Sequence, residues 1–290
     1  MKVLKKILVS LLVIVLIAVV LVGGVLVGGY FYVKDTYGID LIQTVQEVKT
    51  LNETVDEGKL CPNAFSDSDM VDVQTIVNES VEDFITYSAE HGYSVNFHDL
   101  PDEMKYIIRL TDKQVGALAQ TVVKQEIGGK IDFAGKNVDV ALKQITFSSV
   151  TETSALLNTV LTVDITPFKA DLPNEFPFSY LQQYIPDTLY VSSTVKVEKG
   201  AEAFSYSIVH DSLAINNLSK EDTEDFFRTL DIVLSVGTAE TWNVQVGTAI
   251  ANALIGNENN NGLAYALRGI GATDYAFSQE GGTAYFSVLR

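Results

Sequence analysis

From Ile7 to Val33 no position is charged, and Lys2, Lys5 and Lys6 stand just before that run. A hydrocarbon core about 30 Å thick needs about 20 apolar residues of helix, so the run predicts a transmembrane helix over 7–33. A secretory signal has an apolar core of only about 7–15 residues, so the length favours a retained anchor over a cleaved leader. The run closes on Gly28-Gly29-Tyr30-Phe31-Tyr32, aromatics suited to the membrane–water interface. The positive-inside rule leaves residues 1–6 in the cytoplasm and carries everything from Lys34 outside. The chain is thereby expected to be a single-pass protein of the cell membrane, in contact with the bilayer through this helix and with its C-terminal domain extracellular.

Beyond the run the pattern changes to helical and then to alternating. Ile39, Ile42, Val45, Val48 and Leu51 recur every three residues, a helical stripe leading out of the membrane. Val55–Asp69 is polar and turn-rich and reads as a loop. Val77–Ala89 reads as a helix with Val81, Phe84 and Ile85 on one face, stopped by His91-Gly92. Residues 34–102 thus form a membrane-proximal helical segment. From Met104 to Leu110 the chain alternates as a strand, and Thr111 with Gln114 three residues on has capping-box geometry for a helix that ends at Gly128-Gly129.

Further strands follow. Leu157–Ile165 and Leu189–Val197 alternate with polar residues, and Phe204, Tyr206 and Ile208 resume the pattern after Lys199-Gly200. Between the first two, Pro173–Pro186 holds Phe176, Phe178, Tyr180, Leu181 and Tyr184 and predicts a short aromatic helix. Leu213 and Ile215 lead to Ser219, with Asp222 as its capping acid, and Phe226, Phe227, Leu230, Val233 and Leu234 line the next helix. Trp242, Val246, Ile250 and Leu254 lie four apart on another helix, closed by Gly256. Tyr275–Phe277 and Tyr285–Val288 flank Glu280-Gly281-Gly282, a hairpin pattern. The expected fold is α+β: a transmembrane helix, a helical stalk, then over 103–290 an antiparallel curved sheet packed on helices.

Charge narrows the function. The chain has 37 acidic and 20 basic residues, net −17, and the soluble part is more acidic still once the three leading lysines are set aside. Such a balance opposes nucleic acid, which needs a basic footprint, and electrostatic adhesion to anionic head groups. One cysteine, Cys61, excludes an intramolecular disulfide. A large cysteine-poor ectodomain on an N-terminal anchor points to a Gram-positive surface protein rather than to a small disulfide-stapled one. The Asn-x-Ser/Thr triplets at Asn52, Asn78 and Asn217 carry no meaning in that setting.

No motif assembles a catalytic or metal centre. His98-Asp99 and His210-Asp211 look like phosphohydrolase doublets, but only His91 is left to complete a ligand set. Asp67, Asp69 and Asp72 lack the glycine turn and distal glutamate of a calcium loop and suit a helix start. Asn257-x-Asn259-x-Asn261-Gly262 has Arg268 at its twelfth position, the wrong charge, and reads as a turn. Ser193-Thr-Val-Lys196 matches Ser-x-x-Lys, yet in a strand the two side chains face opposite ways. No catalytic residue, metal or cofactor is expected, and the chain is read as a non-enzyme.

What is left is apolar. Tyr180 and Leu181 from the aromatic segment, and Phe226 and Phe227 from the later helix, are candidate walls of a groove for an acyl chain; a plain core is the alternative use of the same residues. The strand entering Leu110-Thr111-Asp112-Lys113-Gln114-Val115, the segment Phe176-Pro-Phe-Ser-Tyr-Leu-Gln-Gln-Tyr-Ile-Pro186 and the strand Leu189–Val197 after it resemble a Gram-positive family of singly anchored proteins of unknown function. The ectodomains of that family look like the tubular lipid-binding (TULIP) superfamily. The resemblance covers about Met104–Leu230; the stretch Ile39–Ala89 and the terminal hairpin have no assigned counterpart. It implies an elongated sheet wrapped on a helix that holds lipid without catalysis. The expected function is accordingly binding of an apolar ligand, a lipid, at the outer membrane surface. A protein-interaction or cell-envelope scaffold, with an envelope protein as partner, is the first alternative, and a cell-wall enzyme the second.

Overall fold

The computed structural model describes residues 41–82, 85–88, 92–95, 105–127, 130–133, 136–169, 186–234, 237–259 and 262–290. The expected membrane run 7–33 and the aromatic segment 173–185 lie outside the described residues. Among the described residues no helix is long and apolar enough to cross a membrane.

The chain is α+β, with antiparallel sheets and helices packed on them. Its first part holds α1 (Leu41–Asn52), α2 (Glu57–Leu60), α3 (Asp67–Glu82), β1 (Ile85–Ser88) and β2 (Gly92–Val95). The middle holds β3 (Tyr106–Thr111), α4 (Asp112–Ile127), β4 (Lys130–Phe133), β5 (Lys136–Ser148), β6 (Ser154–Asp164) and α5 (Thr166–Lys169). The last part holds β7 (Thr188–Lys199), β8 (Tyr206–Ile215), α6 (Lys220–Leu234), α7 (Ala239–Leu254), α8 (Leu263–Ala266), β9 (Asp274–Glu280) and β10 (Thr283–Leu289).

Strands β4 to β8 form a five-stranded sheet in chain order, every neighbour antiparallel. Short connections favour this arrangement at β4–β5, β5–β6 and β7–β8, since antiparallel neighbours need only a turn between them, whereas the β6–β7 link runs from Asp164 to Thr188. Pairs Leu157↔Val195, Leu161↔Val191 and Val163↔Leu189 fill one face, and all six side chains are buried. The register shifts between Leu142 and Gln144, so Leu142 and Ile145, three apart, both turn to that face. The bulge is held from α4, where buried Gln120 accepts the Leu142 N–H at 2.7 Å.

The second sheet runs β3-β10-β9. The expected single sheet is therefore divided: the strand before α4 pairs with the C-terminal hairpin, Leu110 opposite Phe286. The hairpin turn is Gly281-Gly282, both at positive φ (57° and 87°), which the primed two-residue turns require. The sheets meet where Phe147 of β5 packs on Phe277 of β9, ring centroids 5.1 Å apart. Lys199 also bridges them, pairing with Asp274 at 2.6 Å and donating to the Tyr275 carbonyl at 2.9 Å. Val48, Leu51 and Val73 of α1 and α3 share the core formed by the sheets and α7.

Both expected strand–cap–helix units are present. The Thr111 N–H donates to Gln114 Oε1 at 2.8 Å and the Gln114 N–H to Thr111 Oγ1 at 3.3 Å, a reciprocal capping box. At Ser219 the hydroxyl accepts the Asp222 N–H at 3.0 Å and donates to the Asp222 carboxylate at 2.8 Å. Replacing Thr111 or Ser219 with Ala is expected to cost about 0.5–2 kcal/mol, read as a shift in urea midpoint at constant slope. An unmoved midpoint in both variants would remove these caps from the account of stability.

Three expectations are corrected. The helix expected over Val77–Ala89 is α3, which starts at Asp67 and ends at Glu82. Its start falls at the end of the expected loop, where Ser66 donates its N–H to Asp69 Oδ2 at 2.7 Å. Ile85–Ser88 instead pairs as a strand with Gly92–Val95, in keeping with the alternation of Ile85 and Tyr87 with small polar residues. The loop Val55–Asp69 also contains the helical turn α2, begun by Asp56 accepting the Lys59 N–H. Phe204 is not in a strand: it sits in the β7–β8 turn at φ 59°, with its ring buried edge-on to Tyr265.

Candidate functional site

α6, begun by the Ser219 cap, turns Phe226 and Phe227 inward. Both side chains are 0% exposed, and Phe227 packs 6.1 Å from Trp242 of α7 at a tilt of 47°. They belong to the same buried cluster as the sheet residues. Tyr180 and Leu181 lie outside the described residues. Of the four expected wall residues, the two described are buried in the hydrophobic cluster, on a helix that packs on α7 and β8.

The same interface contains a polar cluster. α7 approaches β7 closely at Gly247: a Cβ there would stand 2.6 Å from Val195 Cγ2. One turn earlier, Asn243 is fully buried. Its amide donates to the Thr194 carbonyl at 2.7 Å and to His210 Nδ1 at 2.8 Å, and its oxygen accepts the Ser193 hydroxyl at 2.6 Å. His210 Nδ1 is then an acceptor and Nε2 carries the proton, directed toward Glu224 Oε1 at 3.8 Å. His210 reaches this place through a second register shift, opposite Thr194 and Val195. The shift pairs His210 with Val195 and turns Asp211 out to solvent.

This arrangement brings a serine, a histidine and a carboxylate into one chain of contacts, but an asparagine stands between serine and histidine. Asparagine cannot take up the serine proton, so this set of contacts gives Ser193 no general base. What it does is satisfy buried polar groups that would otherwise destabilise the helix–sheet interface. Sequence reasoning noticed Ser193 and His210 separately and missed Asn243. The available signal was polar interruption of two apolar patterns, Ser193 between Val191 and Val195, and Asn243 beside Trp242.

On the outer face of the small sheet, the Arg109 guanidinium lies 4.0 Å over the Tyr285 ring. Arg109 Nη2 is 2.6 Å from Glu280 Oε1, an ion pair without the alignment of a hydrogen bond. The Ser287 hydroxyl, directly across the ladder, is buried without a hydrogen-bond partner. Tyrosine, arginine and glutamate here brace one another across three strands.

The remaining sequence candidates separate. Asp67 and Asp69 lie in the first turn of α3, where the helix dipole favours them. Asn257 accepts the Asn259 N–H at 2.9 Å, forming the expected turn. Lys196 faces away from Ser193 and pairs with Glu198 at 2.6 Å. Cys61 is buried, and burial pushes its thiol above the ordinary value, with Glu57 adding to the effect. His91 and His98 lie outside the described residues. Among the described residues no three His, Cys, Asp or Glu side chains converge as metal ligands.

No protein-family model matches this chain, and neither a curated protein nor a solved structure is similar to it at a significant level.

Proposed function

We propose that this chain is a membrane-tethered ectodomain that works by surface contact with an envelope protein, without catalysis. The observation that carries this reading is the complete burial of Phe226 and Phe227 in a core shared by both sheets and α7. Rings that close a core are not free to line an acyl channel, because interiors pack at crystal-like density. The second support is the Ser193–Asn243–His210 chain, whose hydrogen bonds are spent inside the interface. The anchor over 7–33 would hold this body at the outer surface of a Gram-positive membrane. The net charge would keep it off anionic lipid. The lipid-binding reading implied by the TULIP resemblance would instead need a groove formed with Tyr180 and Leu181.

The two readings differ in mass. Residues 34–290, purified without detergent, are expected to give the bare chain mass in native mass spectrometry. Stoichiometric co-purifying lipid would overturn the scaffold reading and favour the groove.

A further inference from the structure

α1 lies along α6 and ends in the core at Val48 and Leu51. Between these two helices stands Glu47. Its side chain is only 4% exposed, and Oε2 has no hydrogen-bond partner. Gln43, one turn back on α1, bonds to the Glu47 carboxyl, and the charges of Asp222, Asp225 and Arg228 on α6 act on it. Arg228 is already paired with Asp225 at 2.8 Å, and Gln43 donates to the other Asp225 oxygen at 3.0 Å. Of these groups only Asp225 is in contact with the guanidinium, which is itself 70% exposed. An ionised Glu47 would be buried, short of a hydrogen bond and facing two like charges.

We propose that α1 is a pH-released latch, docked on α6 while Glu47 is protonated and let go when Glu47 ionises. The far end of the helix is held by groups that carry no charge. Asn216 donates to the Leu51 carbonyl at 2.6 Å and Asn217 to the Glu53 carbonyl at 2.9 Å. Release therefore frees the turns of α1 before Val48, while Val48, Leu51 and the two asparagine bonds keep its last turn on the core and leave the sheets intact. The latch stands whether the body binds protein or lipid.

The direction follows from linkage. Burial is the largest influence on the Glu47 carboxyl and raises it from 4.5 to about 7; the Gln43 bond opposes, Asp222 and Asp225 add, and Arg228 opposes. Below pH 4.5 the acid is protonated docked or free, and docking is strongest. Between 4.5 and 7 the free helix loses its proton while the docked one keeps it, so docking weakens about tenfold per pH unit. Above 7 both forms are ionised and docking stays at its minimum.

Hydrogen exchange on the full chain reads this. After correction for intrinsic exchange rates, protection of the α1 amides is expected to fall about 100-fold from pH 5 to pH 8. Protection in β6 and β7 should hold. Glu47→Gln keeps the shape of the side chain without the charge and should give high, pH-independent protection in α1. A flat profile in the wild type would overturn the latch. So would an undiminished fall in Glu47→Gln, which would assign the response to another group. A parallel fall in β6 and β7 would make the event global unfolding.

Discussion

Phe227→Glu is expected to leave the chain with no cooperative thermal transition. Phe227 is 0% exposed, against Trp242 and within the cluster that joins α6, α7 and the five-stranded sheet. Truncation alone, Phe227→Ala, should cost about 3–5 kcal/mol through lost contacts and the cavity left behind. A carboxylate at that place adds the cost of an unpaired buried charge, or of forcing it neutral, which is several kcal/mol more. Together these match or exceed the roughly 5–15 kcal/mol that separates folded from unfolded domains. Phe227→Leu, losing volume but not polarity, should retain a cooperative melt at lower temperature and serves as the folding control. The groove reading makes the opposite forecast, since a groove wall can open a charge to water. A Phe227→Glu variant that melts cooperatively while shedding bound lipid would therefore remove both the core assignment and the scaffold function built on it.

The elements legible from sequence are those whose cause lies within a few residues. Thr111 with Gln114, Ser219 with Asp222, and Gly256 at φ 75° behind α7 each end or begin a helix through a local hydrogen bond or backbone freedom. Gly281-Gly282 closes its hairpin for the same kind of reason. Alternation likewise places Leu157–Val163 and Leu189–Val197 on one buried face. Distant pairing is a different matter. Nothing near Leu110 says that its partner is Phe286 rather than a residue of the neighbouring strands, because alternation fixes a face and not a neighbour. The two register shifts are also silent in the sequence: each is stabilised from another element, Gln120 in one case and Asn243 in the other. For the candidate site, the apolar character of Phe226 and Phe227 is legible, but periodicity cannot tell a core stripe from a groove wall. Glu47 is the strongest case. It occupies an inward position on a helix expected to be a membrane-proximal stalk, and only the packing of α1 on α6 reveals it.

Asn243→Ala is expected to destabilise the chain by about 3–5 kcal/mol, far more than loss of an exposed amide would. The side chain is fully buried and makes three hydrogen bonds, to the Ser193 hydroxyl, the Thr194 carbonyl and His210 Nδ1. Removing it takes the partner from a buried hydroxyl, a carbonyl and the nitrogen of a part-exposed ring, and each group left unsatisfied costs about 1–3 kcal/mol. Gly247, one turn on, keeps α7 against Val195, so the helix stays close to the sheet when the amide is removed. Most of the cost should therefore come from the partners left behind, and that can be separated. Ser193→Ala alone should cost about 1 kcal/mol, and in the Asn243→Ala background it should cost nothing or restore stability, because the stranded hydroxyl is gone. Urea titration of the four members of the cycle gives the coupling directly. Strict additivity of the two substitutions, or a loss below about 1 kcal/mol for Asn243→Ala, would show that Asn243 is not what holds Ser193 and His210 beneath α7.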